Sequence, residues 1–155
     1  MVLVSILFAG CSGLGGKIVD WTPVNIIIEA VDSEGNSIIS PEMPGMSLTF
    51  KGEAYTVKPN DTRTKAYLAV IYGLIAQPMY EIDDKTIYRL VFGEIDGAED
   101  MDEDILLHWP DGSEDVIQYH CSNHRQWPSI KCDRSWKLNG KPHDGGVFRF
   151  SGKSI

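Results

Sequence analysis

Apolar and polar positions alternate along most of the chain with a period of two, and no stretch sustains the 3.6-residue stripe of an amphipathic helix. Alternation of this kind puts apolar side chains on one face of a strand and polar ones on the other, so the pattern predicts an all-β domain. The first strand falls at Val24-Asn25-Ile26-Ile27-Ile28-Glu29-Ala30-Val31. Asp32-Ser33-Glu34-Gly35-Asn36 closes it, its glycine and asparagine supplying the positive φ that a turn requires. After a loop carrying Pro41, Pro44 and Gly45, segments 47–51 and 54–58 read as a hairpin across Gly52-Glu53. Leu48 and Phe50 share one face of its first arm, and Tyr55 and Val57 one face of the second.

The segment from Lys65 to Ala76 is long enough for a helix, but Tyr67, Val70, Ile71 and Tyr72 favour a strand. Gly73 would cost a helix about 1 kcal/mol and would suit a bulge, so the segment is expected to be a strand. Further strands are predicted from Lys85 to Gly93, Asp104 to Trp109, Val116 to Cys121, Ile130 to Leu138 and Val147 to Ser151. Pro110-Asp111-Gly112-Ser113 reads as a hairpin turn, and Leu138-Asn139-Gly140-Lys141 as a type I′ turn. About eight or nine strands at regular spacing imply a single sandwich or a partly closed barrel.

The start of the chain carries a different signal. An apolar run from Met1 through Phe8-Ala9-Gly10 stops at Cys11, followed by Ser12-Gly13. This resembles a bacterial lipoprotein signal, in which the cysteine becomes the first mature residue and carries a diacylglycerol. Each buried methylene of such an anchor contributes about 0.8 kcal/mol, and more than one acyl chain makes the tether stable. A span of ten residues is too short for a transmembrane helix. No Lys or Arg precedes the run, so a basic segment is expected upstream of Met1. The competing reading is a short buried strand with a core cysteine. On the lipoprotein reading residues 1–10 are the signal segment, 11–20 are the lipidated Cys11 and a glycine-rich spacer, and 21–155 are the domain, beginning at Trp21.

Charge and cysteine count narrow the partners. A net charge of −8 repels nucleic-acid phosphates and acidic lipid headgroups, which excludes nucleic acid as an expected partner. If Cys11 is lipidated, the remaining Cys121 and Cys132 can pair in an oxidising periplasm. That bridge would contribute on the order of 3 kcal/mol. Two free thiols are the alternative.

Candidate chemistry is sparse. The acids between Glu94 and Asp104, notably Asp96, Asp100, Asp102 and Asp104, could gather oxygens for Ca²⁺, yet their spacing is not that of an EF-hand. A solvated acidic loop is the stronger expectation. His120, Cys121, His124 and Cys132 are zinc-ligand types, but adjacent His120 and Cys121 would point to opposite faces of a strand. His108, His143, Asp111 and Asp144 could pair for acid/base work, although both aspartates stand before glycine in turns. Gly152-Lys153-Ser154 imitates the end of a phosphate loop without its first glycine, since Val147 stands in that place. Of Trp21, Trp109, Trp127 and Trp136, Trp109 and Trp136 belong to strand positions and are expected to be buried or half-buried, whereas Trp127 before Pro128 is the candidate for ligand or glycan contact.

Taken together, Phe8-Ala9-Gly10-Cys11, Asp20-Trp21-Thr22-Pro23-Val24, Val31-Asp32-Ser33-Glu34-Gly35-Asn36, the segment from Thr64 to Leu74 and His108-Trp109-Pro110-Asp111-Gly112-Ser113 resemble the uncharacterised small lipoproteins of Gram-negative gut anaerobes. The resemblance implies an immunoglobulin-like or transthyretin-like β-sandwich with no assigned activity, and it carries over no catalytic residue. Export signals in these bacteria look like acids just after the lipidated cysteine. Ser12-Gly13-Leu14-Gly15-Gly16-Lys17 has none, which favours an outer-membrane lipoprotein facing the periplasm. The expected function is therefore a non-enzymatic envelope lipoprotein that binds or scaffolds a protein or glycan and needs no cofactor. A calcium- or zinc-binding adhesin or enzyme using the acidic loop, and a carbohydrate-binding lipoprotein, are the alternatives.

Overall fold

Period-two alternation in the sequence becomes alternation of burial in the structure. In the first strand Ile26, Ile28 and Ala30 are at most 2% exposed, while the residues between them face outward. The computed structural model describes residues 24–60, 72–95, 100–126 and 129–154, and over these the chain is all-β. Ten strands follow one another: β1 (Val24–Ala30), β2 (Ser47–Phe50), β3 (Glu53–Pro59), β4 (Gly73–Ile82), β5 (Lys85–Ile95), β6 (Met101–His108), β7 (Glu114–Gln126), β8 (Ser129–Leu138), β9 (Lys141–His143) and β10 (Val147–Phe150). They join in one hydrogen-bonded order, β10-β1-β5-β4-β3-β2-β6-β7-β8-β9. The β1/β10 and β3/β4 pairs are parallel and the others antiparallel.

This order describes a curled open sheet, a half-barrel, and does not confirm the expected division into two facing sheets. The curl brings the ends of the order together. His143 of β9 stacks on Phe148 of β10 at 4.4 Å between ring centroids, and Trp136 of β8 meets the same ring edge-on at 5.7 Å. Gly146 makes this approach possible. A Cβ there would lie 2.6 Å from the Asn25 carbonyl oxygen and 3.6 Å from the Trp136 ring.

One apolar core fills the concave side. Leu48 and Phe50 of β2, Leu74 of β4, Leu90 and Phe92 of β5, Ile105 and Leu107 of β6, and Ile117 and Tyr119 of β7 are all fully buried. Each such side chain contributes roughly 1.5 to 3 kcal/mol by leaving water. Phe50, Phe92, Tyr55 and Tyr72 form an aromatic cluster with centroids 5.1 to 6.3 Å apart, and edge-to-face contacts of this kind add about 0.5 to 1.5 kcal/mol each.

Turn chemistry sets the registers, and here several expectations change. The β2–β3 turn is Lys51-Gly52, not Gly52-Glu53: both residues have positive φ, as a type I′ turn demands, and Phe50 pairs with Glu53. Asn139-Gly140 is the expected type I′ turn, with φ of 50° and 78°. Residues 65–71 lie outside the described residues. Gly73 holds no bulge, since it pairs in register with Gly93, and the irregularity in β4 sits at Met79, between Pro78 and Tyr80. The acids expected in a loop are partly in a strand, because β6 begins at Met101 and carries Asp102 and Asp104.

Candidate binding surface

Two strands of the sheet outrun their neighbours. The β3/β4 ladder ends at Pro59–Ala76 and the β1/β5 ladder at Ile28–Leu90, but β4 and β5 stay paired down to Ile82–Lys85. Residues 77–89 therefore form a two-stranded arm, closed by Asp83-Asp84 with φ of 48° and 59°. Arg89 ties its base, donating from Nε and Nη2 to Gln77 Oε1 at 2.9 and 2.7 Å. On the arm, Met79, Tyr80 and Ile82 are 38%, 52% and 50% exposed. A two-stranded ribbon gains little stability from itself, so large apolar side chains on such an arm have no local packing role to explain them.

Between the arm and β1 lies a cleft of about 510 Å³, lined by Glu29, Ala30 and Val31 on one wall and by Tyr80, Ile87 and Tyr88 among others on the opposite wall. The turn after β1 adds Gly35, Asn36 and Ser37 to the lining, and Asp32 ties it together. Asp32 Oδ1 accepts from the backbone N–H groups of Asn36 and Glu34 at 2.9 and 2.8 Å, and Oδ2 accepts from Asn36 Nδ2 at 3.1 Å. The Asn36 N–H, followed by its side chain, holds the Asp32 carboxyl below its ordinary pKa. Glu29 and Asp83 place carboxylates in the cleft lining, and Lys85 places an ammonium there. Arg149, paired with Glu29 at 2.8 Å, and Arg89, paired with Gln77, stand outside the lining to which Lys85 belongs. The cleft combines apolar side chains with two carboxylates, in a chain of net charge −8, which suits a partner that is apolar and basic.

The residues singled out by sequence are placed elsewhere. Asp96 and Trp127 lie outside the described residues, as do Cys11 and Trp21. Asp100 accepts from the Asn123 backbone N–H at 2.7 Å, Asp104 from Gln118 Nε2 at 3.0 Å, and Asp102 lies 3.6 Å from His120 Nδ1. The three carboxylates serve separate cross-strand partners, and among the described residues no group of three or more His, Cys, Asp or Glu could hold a metal ion. His120 and His124 are on the outward face, each more than half exposed, while Cys121 is buried on the inner one, so the zinc-ligand types are split as adjacent strand positions require.

Cys121 and Cys132 do meet, on diagonal positions of β7 and β8, with Sγ atoms 2.8 Å apart. That is longer than the roughly 2.05 Å of a covalent bond, so the expected bridge appears as two thiols in contact. Burial, reinforced by Cys121 beside it, pushes the Cys132 thiol up to about 11. His143 stacks on Phe148 and bonds the Gly145 carbonyl oxygen at 3.1 Å, and Asp111 caps its own turn through the Ser113 N–H at 2.8 Å. His108 contacts Glu114 Oε1 through Nδ1 at 2.8 Å and Thr49 Oγ1 through Nε2 at 3.2 Å. This hydroxyl, imidazole and carboxylate chain has the order of a proton relay, but it lies across three strands on the outward face of the sheet, away from His143 and Asp144. Trp109 and Trp136 are buried, as expected, although Trp109 lies one residue past the end of β6.

Sequence reasoning passed over Met79, Tyr80 and Ile82. The period-two pattern Tyr80-Glu81-Ile82, running on from a predicted strand, was the available signal. Exposure of its apolar members depends on where β1 and β3 leave the ladder, which local pattern does not encode. No family model matches the chain, and no curated protein or solved structure matches it.

Proposed function

We propose that this chain is a non-enzymatic cell-envelope lipoprotein whose half-barrel is a binding module, engaging a protein partner at the cleft between β1 and the β4–β5 arm. The observation that carries the binding role is the exposure of Met79, Tyr80 and Ile82 beside that cleft. Envelope location rests on Phe8-Ala9-Gly10-Cys11, with lipid on Cys11 holding the module at the periplasmic face of the outer membrane. Cys121 and Cys132, already in contact, are the pair that oxidation in that compartment would bridge. No observation favours the metal-dependent reading, whose carboxylates have separate partners, and the glycan reading rests on Trp127 in the sequence alone.

Two measurements test the proposal. Full-length protein should incorporate labelled palmitate and sediment with membranes, and Cys11→Ala should abolish both; unchanged fractionation of that variant removes the lipoprotein reading. A photo-crosslinking amino acid in place of Tyr80 should yield a discrete adduct in cells, while the same group in place of Lys137, on the far side of the sheet, should not. Equal labelling at both positions, or none at position 80, removes the binding role of the arm.

A further inference from the structure

The register of the arm shows which backbone groups face the cleft. In a two-residue type I′ hairpin the residues flanking the turn, here Ile82 and Lys85, exchange both hydrogen bonds. Alternation along β5 then turns the N–H and C=O groups of Thr86 and Tyr88 away from β4, toward the space that β1 vacates after Ile28. β1 has by then diverged: Glu29 and Ala30 pair with Arg149 and Phe150 of β10, and Val31 bridges to Ser37. A sheet edge with unfilled hydrogen-bonding groups is a template for another strand.

The opposite edge of the arm is guarded. Pro78 has no N–H to offer there, and the irregularity at Met79 bends the strand, two devices that discourage pairing. Thus β5 is the receptive edge of the arm. Tyr80 and its cross-strand partner Ile87, together with Ile82, share one face beside it, ready to meet apolar side chains at every second position of an added strand. Glu29 and Asp83 supply carboxylates to the same space, beside the ammonium of Lys85, in a chain of net charge −8.

We propose that the edge of β5 from Lys85 to Arg89 accepts an extended segment of a partner protein, in which apolar residues alternate with lysine or arginine, as an added strand. Backbone hydrogen bonds at Thr86 and Tyr88 give it affinity, Tyr80, Ile82 and Ile87 take its apolar side chains, and the carboxylates take its cations. This deepens the binding-module reading and rests on it.

The test uses the full-length protein in detergent and three synthetic probes: a decapeptide of alternating valine and lysine, the same peptide with the amides of one edge N-methylated, and a valine–glutamate counterpart. The first should bind, the N-methylated form should bind about tenfold or more weakly because two backbone hydrogen bonds are lost, and the third should not bind. Thr86→Pro should weaken the first probe to a similar degree. Glu29→Gln with Asp83→Asn, which leaves the backbone hydrogen-bonding groups in place, should weaken the first probe and keeps the proposal testable if the proline variant unfolds. Equal binding of the methylated and parent peptides would reveal charge adhesion alone and overturn strand addition, as would failure of the first probe at millimolar concentration. If that failure accompanies a persistent crosslink at position 80, the binding module stands and only its mode is wrong; if the crosslink fails too, both fall.

Discussion

Lys153 Nζ stands 2.7 Å from Asp115 Oδ2, and through that contact the segment after β10 is tied across the β6–β7 turn. Both side chains are shielded, at 15% and 11% exposure. The same carboxylate accepts from Trp109 Nε1 and from Asn139 Nδ2, each at 2.7 Å, and the ammonium lies 4.9 Å above the Trp109 ring and 3.1 Å from Ser113 Oγ. Three separate stretches of chain thus converge on one carboxylate.

Asp115→Ala should therefore lower stability by about 3 to 5 kcal/mol, because it strands a shielded ammonium and two donors together. Lys153→Met keeps the apolar stem over Trp109 and Phe150 and leaves Asp115 with two donors, so its cost should be smaller, about 1 to 3 kcal/mol. Urea unfolding followed by circular dichroism measures both, and equal midpoints for Asp115→Ala and the parent would show that the latch contributes nothing.

The same turn makes the fold sensitive to acid. Hydrogen bonds from the Ser113 side chain and N–H hold the Asp111 carboxyl down to about 2. Burial pushes Asp115 up, but bonds from Lys153, Asn139 and Trp109 outweigh it and leave that carboxyl below its ordinary 3.8. A carboxyl depressed in the folded state stabilises fully above its unfolded pKa, and that contribution fades as pH falls through the folded value. Urea midpoints should accordingly be flat above about pH 5 and fall steadily from about pH 4 toward pH 2. Asp111→Asn should flatten part of that fall.

Turns and alternation were legible in the sequence because both are local. Asn139-Gly140 announced its positive φ values, and alternation at Val24 to Ala30 announced which side is buried. Asp83-Asp84 was not read as a turn, because two carboxylates look like solvated surface, although aspartate tolerates the left-handed region well enough to close a hairpin. The curl was illegible for a different reason: alternation reports one buried face and says nothing of whether the sheet closes on itself or faces a second one. Lys153 shows the same limit. In sequence, Gly152-Lys153-Ser154 is a broken phosphate-loop pattern, and only the fold brings it to Asp115, 38 residues earlier in the chain. The candidate cleft belongs with these, since it exists where β1 and β5 part company.

Cysteine reactivity should be suppressed in the folded state. With the Cys132 thiol pushed up to about 11, roughly a thousandth of it is thiolate near pH 8, and Cys121 is only 1% exposed. Iodoacetamide should label the reduced protein slowly at that pH and much faster in urea. Because the pKa is raised, the neutral thiol is the form that folding favours, so stability is lost as pH rises above the unfolded value of 9.0. Cys132→Ser should remove that alkaline loss, and fast labelling of the native protein would contradict the buried pair.

Closure of the half-barrel depends on two neighbouring positions, and they fail in different ways. Phe148 is fully buried and carries both the Trp136 and the His143 contacts between the ends of the strand order. Phe148→Ala should cost about 3 to 5 kcal/mol through the cavity it opens, and Phe148→Leu appreciably less because most of the volume returns. Gly146→Ala adds only one methyl group, but that carbon would sit 2.6 Å from the backbone oxygen of Asn25, which no side-chain rotation relieves. It forces β10 away from β1 at the point where the Gly146 carbonyl accepts the Ile27 N–H at 2.7 Å. Hydrogen exchange separates the two outcomes: Phe148→Ala should lower protection across the whole core, whereas Gly146→Ala should release the β1/β10 amides first. Global and equal loss in both variants would mean that the sheet unfolds as one unit and that its ends are not a separable closure.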